Sequence, residues 1–223
     1  MKSLIEYINE SNQVELVSDG NERGFEYVDL GLPSGTMWAT CNVGADKPED
    51  EGLLFQFGCV DGYKYGDKND QFRTNDQNKQ DTGNKFIPLT ASGKAYKTNE
   101  ILDLSDDAAH VNMGGKWRMP TYEQLKELYD NTTHRVETIN GVKGMLFTSK
   151  INSNKLFIPF MQGSWWNGNW EDWGRSSTCV WSSQVLPSYV NLVYRLDCDS
   201  SGNATINDDS RSCTFSVRGV FNK

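Results

Sequence analysis

Histidine is nearly absent. His110 and His134 are the whole complement, and neither stands at a spacing that would build a Ser-His-Asp set or a metal site, so hydrolytic and zinc chemistry are not expected. Cysteine occurs at 41, 59, 179, 198 and 213, an odd count with no C-x-x-C pair; buried reduced thiols acting as small hydrophobes are the plain expectation. No run of roughly eighteen apolar residues is present, which argues against a membrane helix. The opening MKSLIEYINES interrupts its apolar run with Glu6, Asn9 and Glu10, so an ordinary export signal is not expected either. Positive charge is in deficit, 22 Lys and Arg against 30 Asp and Glu for a net charge of −8. Nucleic acid and membrane insertion are thereby disfavoured, because nucleic acids and anionic membranes both select a basic footprint.

Aromatic residues are plentiful: 7 Trp, 9 Tyr and 10 Phe in 223 residues. A chain of that size and content buries one good core, with room for a small appendage. The appendage is expected at the start. Leu4, Ile5 and Ile8 share one side of a short amphipathic helix, with Lys2, Glu6, Asn9 and Glu10 on the other. A helix this short does not persist alone in water. The polar stretch Ser18–Arg23 reads as a linker, which makes residues 1–23 an attachment or oligomerisation arm and 24–223 the main domain.

From Phe25 the pattern is that of strands. Phe25, Tyr27 and Val28 lead into a turn over residues 31–35, and Trp38, Thr40 and Val43 continue as the second strand of an early hairpin. The run GLLFQF at 52–57 is a buried strand or loop wall. Residues 61–83, dense in Asp, Asn, Lys and Gly, read as a long surface insertion. Its Asp67, Asp70 and Asp76 are calcium candidates without EF-hand spacing. Ser105 is a candidate cap for a helix from Leu102 to His110, with Asp106 and Asp107 in its first turn facing the helix dipole. Asn140-Gly141, between Val136–Ile139 and Val142–Phe147, is the strongest hairpin signal in the chain. Leu156–Met161 is a further apolar strand.

The stretch GGKWRMPTYEQLKELY, residues 114–129, holds a complete local unit. Trp117 and Met119 alternate with Lys116 and Arg118 as in a half-buried strand, and Pro120 ends it. Thr121 and Gln124 then form a capping box for a helix whose Leu125 and Leu128 share a face. With Arg118, Met119, Pro120, Thr121, Glu123, Leu125 and Leu128, the stretch resembles an R-(L or M)-P-T step followed by a leucine-bearing helix. That step belongs to C-type-lectin-like domains found in gut anaerobes and their phages. YVDLGLPSGTMWATCNVGA at 27–45, Trp181-Ser182-Ser183, and Val217, Arg218 and Val220 carry the same resemblance. It is closest to the Fibrobacter-type paralogous domain, and more remote to the formylglycine-generating-enzyme and retroelement-diversified receptor-binding folds. It implies a C-type-lectin-like fold; the order of elements along the chain, a short helical arm, strands, a loop, two helices and then strands to the end, is α+β with long irregular loops.

Four tryptophans fall in GSWWNGNWEDWGR, residues 163–175. Aromatic planes beside amides and carboxylates suit a sugar or peptide ligand, and equally a core. The sugar-binding C-type lectins pair a Glu-Pro-Asn loop with a Trp-Asn-Asp strand around calcium. Here the first element is absent, and Trp166-Asn167-Gly168 breaks the second. Along residues 189–196, Val190, Leu192, Tyr194 and Leu196 alternate with Tyr189, Asn191, Val193 and Arg195, one face core and the other outward. In retroelement-diversified relatives the exposed residues of this C-terminal part are the ones varied to change ligand. The expected ligand surface is Trp165, Asn167, Asn169, Trp170, Tyr189, Asn191, Asn203 and Asn207. A calcium cluster of Asp197, Asp199, Asp208 and Asp209 is the alternative use of the same polar segment, an ordinary hydrophilic hairpin the plainest one; the expectation is no cofactor. Arg218 is expected to pair structurally with a buried carboxylate or carbonyl.

The resulting expectation is a non-catalytic recognition domain, a phage virion fibre or decoration protein that binds host-surface glycan or protein. Its arm, through Leu4, Ile5 and Ile8, holds a phage structural protein or its own copies, a trimer being favoured because fibres in the class it resembles are commonly trimeric. A bacterial surface or secreted ligand-binding domain is the alternative. An enzyme of the formylglycine-generating type is the third reading. Cys198 and Cys213 are its nearest candidate pair, although the sequence surroundings of that family are missing.

Overall fold

The computed structural model describes residues 14–67, 90–166 and 169–223. Within them strands account for 47% and helices for 10%, so the class is β-rich and the α+β expectation is corrected. The reason lies in particular segments. The region read as a helix from Leu102 yields only a 3-10 turn at Leu104–Asp106 and the six-residue α1, Ala108–Met113. Several stretches read as loop are strands. The supposed linker contains β1, Gly20–Glu22, which pairs with β2, Phe25–Asp29. The tryptophan-rich loop is a hairpin of β8, Met161–Trp166, and the start of the 17-residue β9, Asn169–Val185. The helical arm, with Leu4, Ile5 and Ile8, lies outside the described residues, as do Asp70 and Asp76.

Three sheets are formed. The first runs β1, β2, β3 (Thr36–Asn42) and β13 (Arg218–Asn222), so the end of the chain closes against the early hairpin. The second runs β11 (Ala204–Ser210), β10 (Leu192–Asp199), β9, β12 (Thr214–Ser216) and β4 (Leu54–Gln56), with β8 added to β9. The third is β5 (Thr132–Ile139), β6 (Val142–Ser149) and β7 (Lys155–Pro159). The β5–β6 hairpin turns at Asn140 and Gly141, both at positive φ, 50° and 84°. That is the conformation the Asn-Gly pair adopts most readily.

Two apolar clusters hold these layers. One gathers Phe55, Phe57, Trp117, Trp181, Val193 and Phe215; the other gathers Trp38, Leu125, Leu128, Phe147, Phe160, Val180 and Leu196. Trp181 and Val180 are neighbours on β9 yet serve different clusters, so the central sheet is buried on both faces. The alternation expected along 189–196 fails for this reason. Val193 and Leu196 are both fully buried, and a bulge between Val193 and Arg195 resets the register.

Around Trp117 the expected burial pattern holds, but no strand forms: Gly115 and Lys116 turn, and Arg118 makes only an isolated bridge to Val220. Trp117 and Met119 are 0% and 3% exposed, and the Trp117 indole donates to the Glu22 carbonyl at 2.9 Å. The helix α2, Tyr122–Asn131, begins with the complete Thr121/Gln124 capping box. The expected Ser105 cap is replaced by Asp107. Its carboxylate accepts from the His110 N–H at 2.9 Å and from the Met119 N–H at 2.9 Å, tying α1 to the 117–119 segment. Asp106 is fully buried; it accepts from the Ser92 N–H, the Ser92 hydroxyl and the Tyr96 hydroxyl, each at 2.6 Å. Arg218 is 0% exposed and staples two sheets, donating to Asn42 Oδ1, Ala39 O and Phe157 O at 2.9, 3.0 and 2.9 Å. Burial lowers its pKa to about 10. Among the described residues no helix is long and apolar enough to cross a membrane.

Candidate functional site

Strands β9, β10 and β11 build a polar row on one face of the central sheet. Cys179 lies opposite Asp197, and Arg195 opposite both Trp181 and Asn207, so cross-strand neighbours project together. The Arg195 guanidinium is the hub. Its Nη1 is 2.6 Å from Cys179 Sγ and 3.0 Å from Asp197 Oδ1, its Nη2 is 3.4 Å from Asp209 Oδ2, and it sits 4.8 Å over the Phe215 ring. Asn207 Nδ2 donates to Asp197 Oδ2 at 3.4 Å.

Burial raises the Asp197 pKa above the ordinary carboxylate value while Arg195 pulls the other way. For Arg195 burial disfavours the charge, but the Asp197 and Asp209 carboxylates pull the other way. The Cys179 and Cys198 thiols are pushed well above their ordinary value by burial, and Cys213 is raised for the same first reason. These sulfurs are therefore held as thiols.

A cleft of about 700 Å³ opens at the β10–β11 turn, lined among others by Trp173, Arg195, Asp197, Asn203, Thr205 and the Tyr129/His134 pair. Trp173 borders it from the side of the first cluster, packed 6.0 Å from Phe215. Tyr129 and His134, stacked at 5.7 Å, border it from the side of the second, where His134 meets Phe147 at 5.9 Å. The turn itself is set by Asp199, which accepts from the Ser201 N–H, the Asn203 N–H and the Asn203 amide. These hydrogen bonds, led by the Asn203 amide, hold the Asp199 carboxyl below its ordinary value.

The expected ligand residues are not gathered in one place. Trp165 is 7% exposed and is corrected to core. It lies across the hairpin from Trp170, on the inner side of a strand laid against the body. Trp170 is half-buried, its indole donating to the Asp67 carbonyl at 3.0 Å and packed edge-on to Tyr65 at 5.1 Å. Asn169 is exposed opposite Trp166, and Asn167 lies outside the described residues. Tyr189, 60% exposed, and half-buried Asn191 flank the β9–β10 turn. Asn203 stands beyond the other end of the eight-residue β10, about 25 Å away at ~3.3 Å per residue. Asn203 borders the cleft, and exposed Asn207 adjoins it through Asp197.

The four candidate calcium aspartates also separate. Asp208 and Asp209 are successive strand residues and project to opposite faces, while Asp197 and Asp209 face Arg195. Cys198 and Cys213, the candidate reactive pair, belong to different apolar clusters. Arg195 and Thr205 are not among the expected ligand residues, and Asp197 is expected only as a calcium candidate. The period-two run Arg195, Asp197, Asp199 was the available signal. Tyr129 and His134 arrive from the α2–β5 junction and carry no local signal. No protein-family model, no curated protein and no solved structure matches this chain.

Proposed function

We propose that this chain is a non-catalytic recognition domain that takes a host-surface glycan or protein group in the cleft at the β10–β11 turn. The observation that carries the proposal is the cleft's make-up. Trp173 and the Tyr129/His134 stack border a row of polar groups, Arg195, Asp197, Asn203 and Thr205. Apolar ring faces beside converging donors and acceptors suit a ligand with C–H faces and hydroxyl or amide groups. The protonated state of the buried Cys179, Cys198 and Cys213 supports binding over thiol chemistry, since the thiolate is the nucleophile.

The sequence resemblance to phage and gut-anaerobe lectin-like domains supports placing the protein on a phage particle, as fibre or decoration protein. The part of the expected arm that precedes β1, with Leu4, Ile5 and Ile8, then attaches it to a structural partner or to its own copies, in threes by preference. A bacterial surface or secreted domain is the alternative. Genes neighbouring this one separate the two readings, virion structural genes favouring the first.

The test is an array of host-surface glycans and proteins probed with the full chain and with Thr205→Arg. Thr205 is exposed and opposite Asp197, so an arginine there fills the cleft without touching the core. Binding that falls roughly tenfold or more at unchanged melting supports the cleft. A ligand bound equally well by the variant refutes it.

A further inference from the structure

A second cleft, of about 790 Å³, lies between the 101–105 segment and the 116–124 segment, beside the end of β13. Ile101 and Leu104, 47% and 42% exposed, stand on one wall, and Phe221 and Val220 line its base. Lys116 and Arg118 line it from the other wall. Both are exposed, on either side of the fully buried Trp117.

Among the described residues neither cation makes an ion pair or a side-chain hydrogen bond. The Lys116 ammonium lies 5.9 Å from the centre of the Phe221 ring. The carboxylates that border the cleft are already engaged. Asp103 is paired with Lys94 at 2.7 Å, and Asp107 is occupied by the His110 and Met119 N–H groups. Arg118 acts on Asp107 only through its field. Thr121, which opens the ten-residue α2, is also on the lining, and a helix start favours negative charge nearby.

In a chain of net charge −8, two cations with no ion-pair partner among the described residues stand on one wall of this cleft. We propose that this cleft is a second binding site, for a carboxylate-bearing sugar unit of the uronic acid class. Lys116 and Arg118 take the carboxylate, Arg118 by its two-pronged guanidinium, and the ring's C–H face rests on the exposed Ile101 and Leu104 side chains. The site shares no lining residue with the cleft at the β10–β11 turn; on β9 that cleft is bordered by Ser177, Thr178 and Cys179 and this one by Ser183.

The test is calorimetric titration of the full chain with a hexuronate oligosaccharide, the free hexuronate and a neutral oligosaccharide of equal length. The acidic oligosaccharide is expected to bind roughly tenfold or more tightly than the neutral one, and to weaken in about 0.5 M salt. Lys116→Gln and Arg118→Gln are each expected to weaken it roughly tenfold. Melting should not change, since both side chains are exposed. Thr205→Arg leaves this binding intact, which separates failure here from failure of the first cleft. If the free hexuronate accounts for all the affinity, the site reads the single sugar; if only the oligosaccharide binds, it reads the unit within a polymer. Equal binding of the neutral sugar, undiminished binding by both Gln variants, or no binding by any of the three ligands overturns the proposal.

Discussion

Arg195→Met removes the one cation from a row of acids while keeping most of the side chain's apolar bulk over Phe215. The Arg195 and Asp197 side chains are 15% and 23% exposed and 3.0 Å apart. Breaking a fully buried pair costs about 3–5 kcal/mol because one charge is left uncompensated. Partial exposure screens this pair, so a loss of about 2–3 kcal/mol is expected at neutral pH, with Asp209 at 3.4 Å and 33% exposure adding little. For a chain of this length that is about 5–10 °C in melting temperature.

The loss must depend on pH, and its sign is determined. Asp197 already has its pKa raised by burial against the pull of Arg195, and removing Arg195 raises it further. In the variant, the folded state then keeps a proton that the unfolded state releases, so its stability falls as pH rises from the ordinary carboxylate value through the raised one. The deficit relative to the wild type is expected to be smallest near pH 3.5, about 1 kcal/mol from lost hydrogen bonds, and largest at pH 7. Urea unfolding of both proteins across that range measures it, and Arg195→Met/Asp197→Asn should recover about half or more of the loss at pH 7. A deficit of the same size at both ends of the range would mean that Arg195 acts by packing on Phe215 alone.

Gly163→Ala places a Cβ 1.9 Å from the Glu171 carbonyl oxygen and 2.6 Å from the Tyr65 ring. A loss of about 3 kcal/mol or more is expected in denaturant unfolding; a normal melting curve would mean the β8–β9 hairpin is not seated as described. Trp170→Ala should lower stability by about 2 kcal/mol, since the indole is half-buried on Tyr65 and bonded to the Asp67 carbonyl. Weakened ligand binding with unchanged melting would instead return Trp170 to the ligand surface. Asp107 has its pKa raised by burial against its backbone donors, so the wild type's stability relative to Asp107→Asn should fall as pH climbs through the window above 3.8. A difference that rises with pH would show that the His110 and Met119 N–H groups outweigh burial.

Short-range chemistry determined what the sequence could announce by itself. The Asn140-Gly141 turn, the Thr121/Gln124 capping box, the inward Trp117 and Met119, and the carbonyl-bound Arg218 each depend on residues close in the chain or on a group with few ways to be satisfied. The same Asn-Gly cue stood between Trp166 and Asn169 and marked the tryptophan-rich hairpin, but its flanking indoles suggested a loop that carries ligand.

The tertiary structure alone decided the rest. Whether an indole such as Trp165 is core depends on what lies across its hairpin, and whether the Val193 face is outward depends on the sheet being covered on both sides. Polar strands such as Gly20–Glu22 have no periodic apolar signal and exist because a partner strand supplies their hydrogen bonds, which is why the balance of helix and strand was misjudged. Both clefts join segments separated by tens of residues, Tyr129 and His134 with Thr205, Ile101 with Lys116 and Phe221. Neither the volume between those segments nor the lack of an ion-pair partner for Lys116 and Arg118 among the described residues is a property of any one stretch of chain.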